Sequence, residues 1–351
     1  MSDYVWGEKE TQFFYQLDPE SVLKAVESLG LKTTGRCMAL NSMENRVYEI
    51  EIDIPEHLIK SESEKFIIAK FYRPGRWTKE QILEEHQFLN DLEEAEIPAI
   101  GPLKFKDNTL FQLEGHDLYY TVFPKRGGRA PYEMTEEQLQ IMGRLLARIH
   151  NVGAKREAKH RIKITPESFG QKNLDYLINE NFIPPHLKER FVSVFSQIKF
   201  LIEPHFKNKI QHRIHGDCHW GNIILRDKEG PSFIDFDDML IGPAIQDIWL
   251  VVPGEDEQAI RDRNILLEAY DGMRPFDYSS LKLIEPLRTL RYIHFAAWIA
   301  KRSQDPTFKL NFPHFYEPSY WDSLLQDLQL QLVKISDSLS PAQSWETPFL
   351  S

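Results

Sequence analysis

Chemistry concentrates in one stretch of this chain, His215-Gly-Asp217-Cys-His-Trp-Gly-Asn222, and resumes at Ile234-Asp235-Phe-Asp237-Asp238. The Asn222 amide oxygen and the Asp235 carboxylate are hard oxygen ligands. Such a pair suits Mg²⁺, which keeps its remaining positions for water and phosphate oxygens. The second carboxylate, Asp217, is then free to accept a proton or to orient a hydroxyl nucleophile. Phosphoryl transfer depends mostly on positioning and charge neutralisation, and this set supplies both.

The elements that must position these groups can be read locally. Asn222–Arg226 reads as a strand, Asp227–Gly230 as a turn and Pro231–Asp235 as the returning strand. An antiparallel hairpin sets the first residue of one strand beside the last of the other, so Asn222 and Asp235 are expected together at its open end. Asp217 lies on the loop feeding in.

The first third reads mainly as strands. Arg46–Ile52 and Lys65–Tyr72 are rich in β-branched and aromatic residues, and Thr109–Leu113 and Asp117–Phe123 flank a hairpin turn at Glu114-Gly115-His116. Alternation puts Lys70 on the face of Phe66, Ile68 and Tyr72. A lysine among apolar neighbours needs an anionic partner. Thr78–Leu92 has helical spacing, with Ile82, Phe88, Leu89 and Leu92 on one side.

Beyond Pro124-Lys-Arg-Gly-Gly128, a turn-rich joint suited to a hinge, the pattern becomes helical. Thr135–His150 opens with a capping box, Thr135 with Gln138, and buries Leu139, Met142, Leu146 and Ile149. Further helices are expected at Leu174–Ile178, Leu187–Phe206, Ala259–Tyr270 and Leu281–Arg302, the last ended by Asp305-Pro306. The organisation expected is an N-terminal lobe over residues 1–123, a hinge at 124–128, a larger lobe over 129–340 and a loose tail over 341–351.

His-Gly-Asp-x-x-x-x-Asn followed by Ile-Asp-Phe-Asp resembles the catalytic and metal-binding segments of the aminoglycoside phosphotransferase and choline kinase branch of the protein-kinase-like fold. The segments ALNSMENRVYEI, AKFYRPGRWT, QILEEHQF, HGDCHWGN, GPAIQDIW and LIEPLRTLRY narrow this to a resemblance to the bacterial stress response kinase A family, running from about Leu40 to Trp321. The resemblance implies an α+β, bilobal protein-kinase-like fold. It pairs an antiparallel sheet lobe carrying one main helix with a larger, mostly helical lobe. It also implies a cytoplasmic Ser/Thr protein kinase using ATP and Mg²⁺, acting on protein substrates or on itself, as a monomer.

By the same resemblance Asp217 is the catalytic-loop aspartate. Asn222 is the metal-binding asparagine, and Asp235 the metal-binding aspartate that serves catalysis with it. Lys70 is the lysine that holds the α- and β-phosphates. Glu85 matches its helical glutamate partner, with adjacent Glu84 the alternative. Asn41-Ser42-Met-Glu-Asn45 occupies the place of the glycine-rich loop but contains no glycine, so it cannot press its backbone on phosphates in the usual way. The Ser42 hydroxyl and nearby amides are expected to replace those contacts. No Ala-Pro-Glu segment follows Asp235, so regulation by a phosphorylated activation loop is not expected.

Other residues fit blander roles. His215, Cys218 and His219 match no zinc spacing, and His215 is expected to pack and hold the loop. Asp247 reads equally as a tie to the catalytic loop and as an ordinary acid at a helix N-terminus. Asp237 and Asp238 read either as acids supporting the metal ligands or as solvated residues, and at least one of the two is expected in solvent. Arg288, Arg291, His294, Trp298 and Arg302 suit a core helix with a charged edge.

Composition closes off other classes. With 42 Lys+Arg against 53 Asp+Glu among 351 residues, the net charge is −11. No basic block exists to neutralise a nucleic-acid backbone. Two cysteines cannot form a disulfide framework, and no apolar run is long enough for a membrane span or a signal peptide. A small-molecule kinase for an amino-alcohol, aminoglycoside or sugar would share the same catalytic residues. Residues 253–351 hold 14 acids and 10 bases, which is no acidic concentration for a polycationic acceptor. A catalytically dead scaffold is disfavoured by the intact set Lys70, Asp217, Asn222 and Asp235.

Overall fold

The computed structural model describes residues 17–207, 209–226 and 230–339. The expected turn residues 227–229, the tail after residue 340 and the first sixteen residues lie outside them. The chain packs into two units, one formed by residues up to Arg161 together with His212–Phe276, the other by Ile162–Gln211 together with the segment from Asp277 onward.

In the first unit, helix α1 (Pro19–Glu27) leads into β1 (Thr33–Leu40), β2 (Arg46–Ile52) and β3 (Phe66–Phe71). After helix α2 (Lys79–Glu94) come β4 (Phe111–Gln112) and β5 (Tyr119–Pro124), then helix α3 (Glu136–Gly153). The strands make one antiparallel sheet in the order β1-β2-β3-β5-β4. Ile67, Ala69 and Phe71 of β3 enter one core with Val22 and Val26 of α1 and with Tyr120 and Val122 of β5. Strand alternation therefore turns Lys70 to the opposite face, where it stands in register with Val47 and Thr121.

The expected capping box of Thr135 with Gln138 forms on α3, and a second, of Thr78 with Gln81, opens α2. The buried stripe of α2 runs through Ile82, Glu85, Phe88, Leu89 and Leu92 at steps of three and four. Glu85 is thereby carried inward, and Glu84 lies about 100° round the helix, at the edge of that stripe.

The chain then supplies the second unit with α4 (Lys172–Asn179) and α5 (Lys188–Lys207). It returns to the first unit at β6 (His212–Ile214), followed by the hairpin β7 (Ile223–Arg226) and β8 (Gly230–Phe233) and by β9 (Leu240–Gly242), which pairs with β6. Helices α6 (Ile245–Val251) and α7 (Glu257–Asp271) complete that unit. The second unit ends with α8 (Ile284–Ala300), α9 (Pro306–Asn311) and α10 (Pro318–Leu339).

Two sequence expectations are corrected. Asp305-Pro306 does not end the long apolar helix, which stops at Ala300; instead the Asp305 carboxylate caps α9 by accepting from the Thr307 N–H at 2.9 Å. The hairpin register is also displaced by one. Ile223 faces Phe233, and the Ile234 N–H donates to the Asn222 carbonyl at 3.0 Å, so Asp235 follows the pair rather than facing Asn222. No helix among the described residues is long and apolar enough to cross a membrane.

Candidate active site

All the sequence-nominated residues fall within the first unit. The loop His215–Asn222 is tied down from below by Asp247 at the start of α6. Its buried carboxylate accepts from the backbone N–H groups of His215 at 2.9 Å and Gly216 at 2.8 Å, and its Oδ2 lies 3.1 Å from His150 Nε2. Burial works against the charged form of Asp247, but the His150 contact and these amides outweigh it and hold the carboxyl below the usual aspartate range. Of the two readings of Asp247, the tie to the loop is the one the geometry shows.

Gly216 has φ +86°, and a Cβ there would lie 2.2 Å from the Asp238 carbonyl oxygen, so only glycine fits the turn. His215 packs against Phe236, ring centroids 4.4 Å apart, and its Nε2 lies 2.9 Å from the Ile234 carbonyl oxygen. That bond fastens the loop to the backbone entering Asp235. Among the described residues no cluster of His, Cys, Asp and Glu could hold a zinc ion, and Cys218 is buried.

Asp217 is partly exposed and held from two sides. Asn222 Nδ2 donates to the Asp217 carbonyl at 2.9 Å and lies 3.5 Å from its Oδ2, while His219 Nε2 lies 3.3 Å from the same Oδ2. With its nitrogen engaged there, Asn222 presents its amide oxygen as an acceptor. Asp235 adopts left-handed backbone angles, φ 57° and ψ 66°, which a short polar side chain tolerates. The turn leaves its side chain half exposed.

Lys70 sits among three carboxylates, 3.0 Å from Asp235 Oδ1, 3.2 Å from Asp237 Oδ1 and 3.8 Å from Glu85 Oε1. Burial alone would favour loss of its proton, but the three acids hold its pKa well above the ordinary lysine value. Glu85 is fully buried and pushed up to about 7 by that burial, partly offset by Lys70 and then by Arg161, whose Nη2 lies 3.1 Å from its Oε2. Glu84 has a different job. Its carboxylate accepts from the N–H groups of Lys159, His160 and Arg161 at 2.7 to 3.1 Å, fixing the loop that aims Arg161 at Glu85.

Asp237 is central to the site, and Asp238, whose side chain is 44% exposed, is not simply solvated but paired with Arg76. Asp237 is 3% exposed and touches Lys70, Arg76 and Asn45. Burial raises its pKa, yet Arg76, Lys70 and Arg161 outweigh burial and keep it well below the carboxylate range. Asn45, Arg73, Arg76 and Arg161 were not nominated. The signal for two of them lay in the segment Tyr72-Arg73-Pro-Gly-Arg76-Trp77, whose charges lie close to apolar strand residues. Ser42 stands on the glycine-free loop, half-buried, three residues from Asn45.

Comparison with known proteins places this geometry in context. Residues 40–284 match the model of a family described as "Phosphotransferase enzyme family". The chain is 36% identical over 309 residues to stress response kinase A of Shigella flexneri, covering 88% of this chain and 90% of that protein. A Salmonella typhimurium protein named serine/threonine protein kinase RdoA is 35% identical with the same coverage. Among solved structures, amicoumacin kinase hAmiN in complex with AMP-PNP and Ca²⁺ superposes with a TM-score of 0.66 at 19% identity, covering 89% of this chain and 96% of that one. That likeness is one of fold.

Proposed function

The chain belongs to the phosphotransferase enzyme family, alongside the stress response kinase A proteins, and from that premise we propose that it transfers the γ-phosphate of ATP to Ser/Thr hydroxyls of proteins, with Mg²⁺. The observation that carries the reading is the convergence of Lys70 and the Asp235 turn beside the braced loop bearing Asp217 and Asn222. The choice of a protein acceptor rests on the relative named as a serine/threonine protein kinase, which this chain matches over 88% of its length.

In this reading Lys70 holds the α- and β-phosphate oxygens, its charge secured by the surrounding acids. Glu85 keeps the lysine aimed, and Arg161 keeps Glu85. Asn222 Oδ1 and the half-exposed Asp235 carboxylate are the atoms that would hold the metal; an amide and a carboxylate oxygen suit a hard divalent cation. Mg²⁺ bound there neutralises charge on the transferring phosphoryl group. Asp217 accepts a hydrogen bond from the acceptor hydroxyl and orients it. This needs no full deprotonation in advance, because a dissociative transfer asks more for alignment than for a strong base.

Incubation with γ-labelled ATP, Mg²⁺ and a generic protein tests the proposal. Labelled Ser or Thr on that protein, or on the kinase itself, is the expected result. The fold likeness to an amicoumacin kinase supports a second reading, a small-molecule acceptor. Turnover of an amino-alcohol or aminoglycoside with no protein labelling would replace the first reading by the second.

A further inference from the structure

The loop Asn41–Asn45 carries no glycine, yet it is the segment placed over the phosphates in the reading above. Its bracing comes from a tight turn after β3. In Arg73-Pro74-Gly75-Arg76, proline occupies the second position and Gly75, at φ +75°, the third, with the Arg76 N–H donating to the Arg73 carbonyl at 3.3 Å. That is the chemistry of a type II turn. It sets two arginines at the two ends of one short reversal.

Arg73 faces the loop. Its Nε donates to the Glu44 carbonyl at 3.0 Å, and its Nη2 reaches the Met43 carbonyl at 3.4 Å. Arg76 faces the turn after Asp235, with Nη1 on Asp237 and Nη2 on Asp238. Glu44 Oε1 lies 3.3 Å from Arg73 Nε and 3.6 Å from Arg76 Nε, so it joins the two. Asn45 completes the connection with both ends of its amide. Its Oδ1 accepts from the Arg73 N–H at 3.1 Å, and its Nδ2 donates to Asp237 Oδ2 at 3.1 Å. Asn45, Arg73, Arg76 and Asp237 are each no more than 5% exposed.

Resting on the phosphotransferase reading, we infer that Asn45 and Arg76, acting through Asp237, are positioning residues that clasp the glycine-free loop to the turn carrying Asp235. The clasp pre-orders the loop for the nucleotide's phosphates. A glycine-rich loop is free to close over phosphates but must be ordered when it does; a loop already fixed by side chains has met that entropic cost during folding. The amide of Asn45 is suited to the role because it must accept from one partner and donate to the other. An aspartate there would set a carboxylate against Asp237.

The test uses the full chain and compares wild type with Asn45→Ala and Arg76→Lys. The lysine variant keeps a buried positive charge but cannot reach both Asp237 and Asp238 as a fork, so it carries the test if Asn45→Ala fails to fold. Two quantities are read. Hydrogen exchange over residues 41–45, measured without nucleotide, should be slow in the wild type and faster in the variants, while exchange in α3 stays unchanged. ADP affinity should fall about tenfold, as expected from lost pre-organisation, with kcat at saturating ATP within about twofold.

Lost loop protection with unchanged ADP affinity would overturn the inference, as would a fall in kcat with nucleotide affinity intact. Unprotected loop amides in the wild type would overturn it too. Failure of the wild type to bind ADP at all would instead remove the phosphotransferase reading on which the inference rests.

Discussion

Lys70 Nζ lies 3.0 Å from Asp235 Oδ1 but 3.8 Å from Glu85 Oε1, so the lysine is bonded to the acid that follows β8 and only near the acid on α2. Glu85 does not depend on that lysine alone, since Arg161 reaches its other oxygen. Asp237 Oδ1, at 3.2 Å, is the second acid in contact with the lysine, so its charge is shared chiefly between Asp235 and Asp237.

Lys70→Met should therefore do two things. Nucleotide use should drop by orders of magnitude, because a fixed charge in the cleft is lost. Stability should fall by about 3 kcal/mol, the usual scale for leaving buried partner charges behind, since Asp237 and Glu85 keep Arg76 and Arg161 but lose the cation between them. Turnover assays and denaturant melts read both. Unimpaired ATP turnover would exclude Lys70 from the phosphate site.

Asp235→Asn tests the metal end. Its side chain is half exposed and, among the described residues, is paired with Lys70, so the fold should survive. Phosphoryl transfer should largely disappear, because the donor's charge is then poorly neutralised. Wild-type activity should likewise vanish in excess chelator and return with added Mg²⁺. Activity undiminished by chelation would remove the metal from the proposal.

Asp247 gives a pH-dependent prediction. Its folded pKa lies below the ordinary aspartate value. A depressed carboxyl contributes stability that is fully present above the unfolded-state pKa and is lost as pH falls through the folded one. Asp247→Asn should be clearly less stable than wild type near neutrality. The gap should narrow as pH falls below the ordinary aspartate value and through the lower folded one, where the wild-type carboxyl takes up its proton. A gap that stays constant over this range would mean that the charge of Asp247 is not what holds the loop.

Much of this arrangement was legible because it is local. The capping box of α3, the β3 alternation that turns Lys70 from the core, and the apolar side of α2 are each contained within a few residues. What escaped is contact between distant segments. Asp237 takes its character from Asn45, Arg76 and Arg161, which no local pattern links to it. The hairpin register slipped by one because Gly230, read as a turn residue, belongs to the returning strand and faces Arg226. Strand β1 was hidden by Gly35 at φ +90° and by a register shift between Thr33 and Cys37, which break the alternation. Helix α10 was hidden differently. Its buried stripe of Leu324, Leu325, Leu328, Gln331 and Ile335 includes a glutamine, while exposed Leu330 and Val333 blur the period.

The remaining prediction falls on Asp217, where mechanism and acceptor meet. The carboxylate is held by Asn222 and His219 and is reachable from solvent, so it can meet a hydroxyl without first leaving a buried ion pair. It lies on the same loop as Asn222, whose nitrogen anchors that loop to the Asp217 carbonyl. Asp217→Asn keeps the shape and the loop bonds but replaces an acceptor oxygen with a donor. ADP affinity in Mg²⁺ should therefore stay near wild type, while phosphate transfer slows by orders of magnitude. Equilibrium binding and single-turnover transfer, measured on the same preparation, separate the two. A variant that both binds ADP and labels protein at the wild-type rate would exclude Asp217 as the group that orients the acceptor. A variant that loses ADP would mean instead that Asp217 serves the nucleotide end of the site.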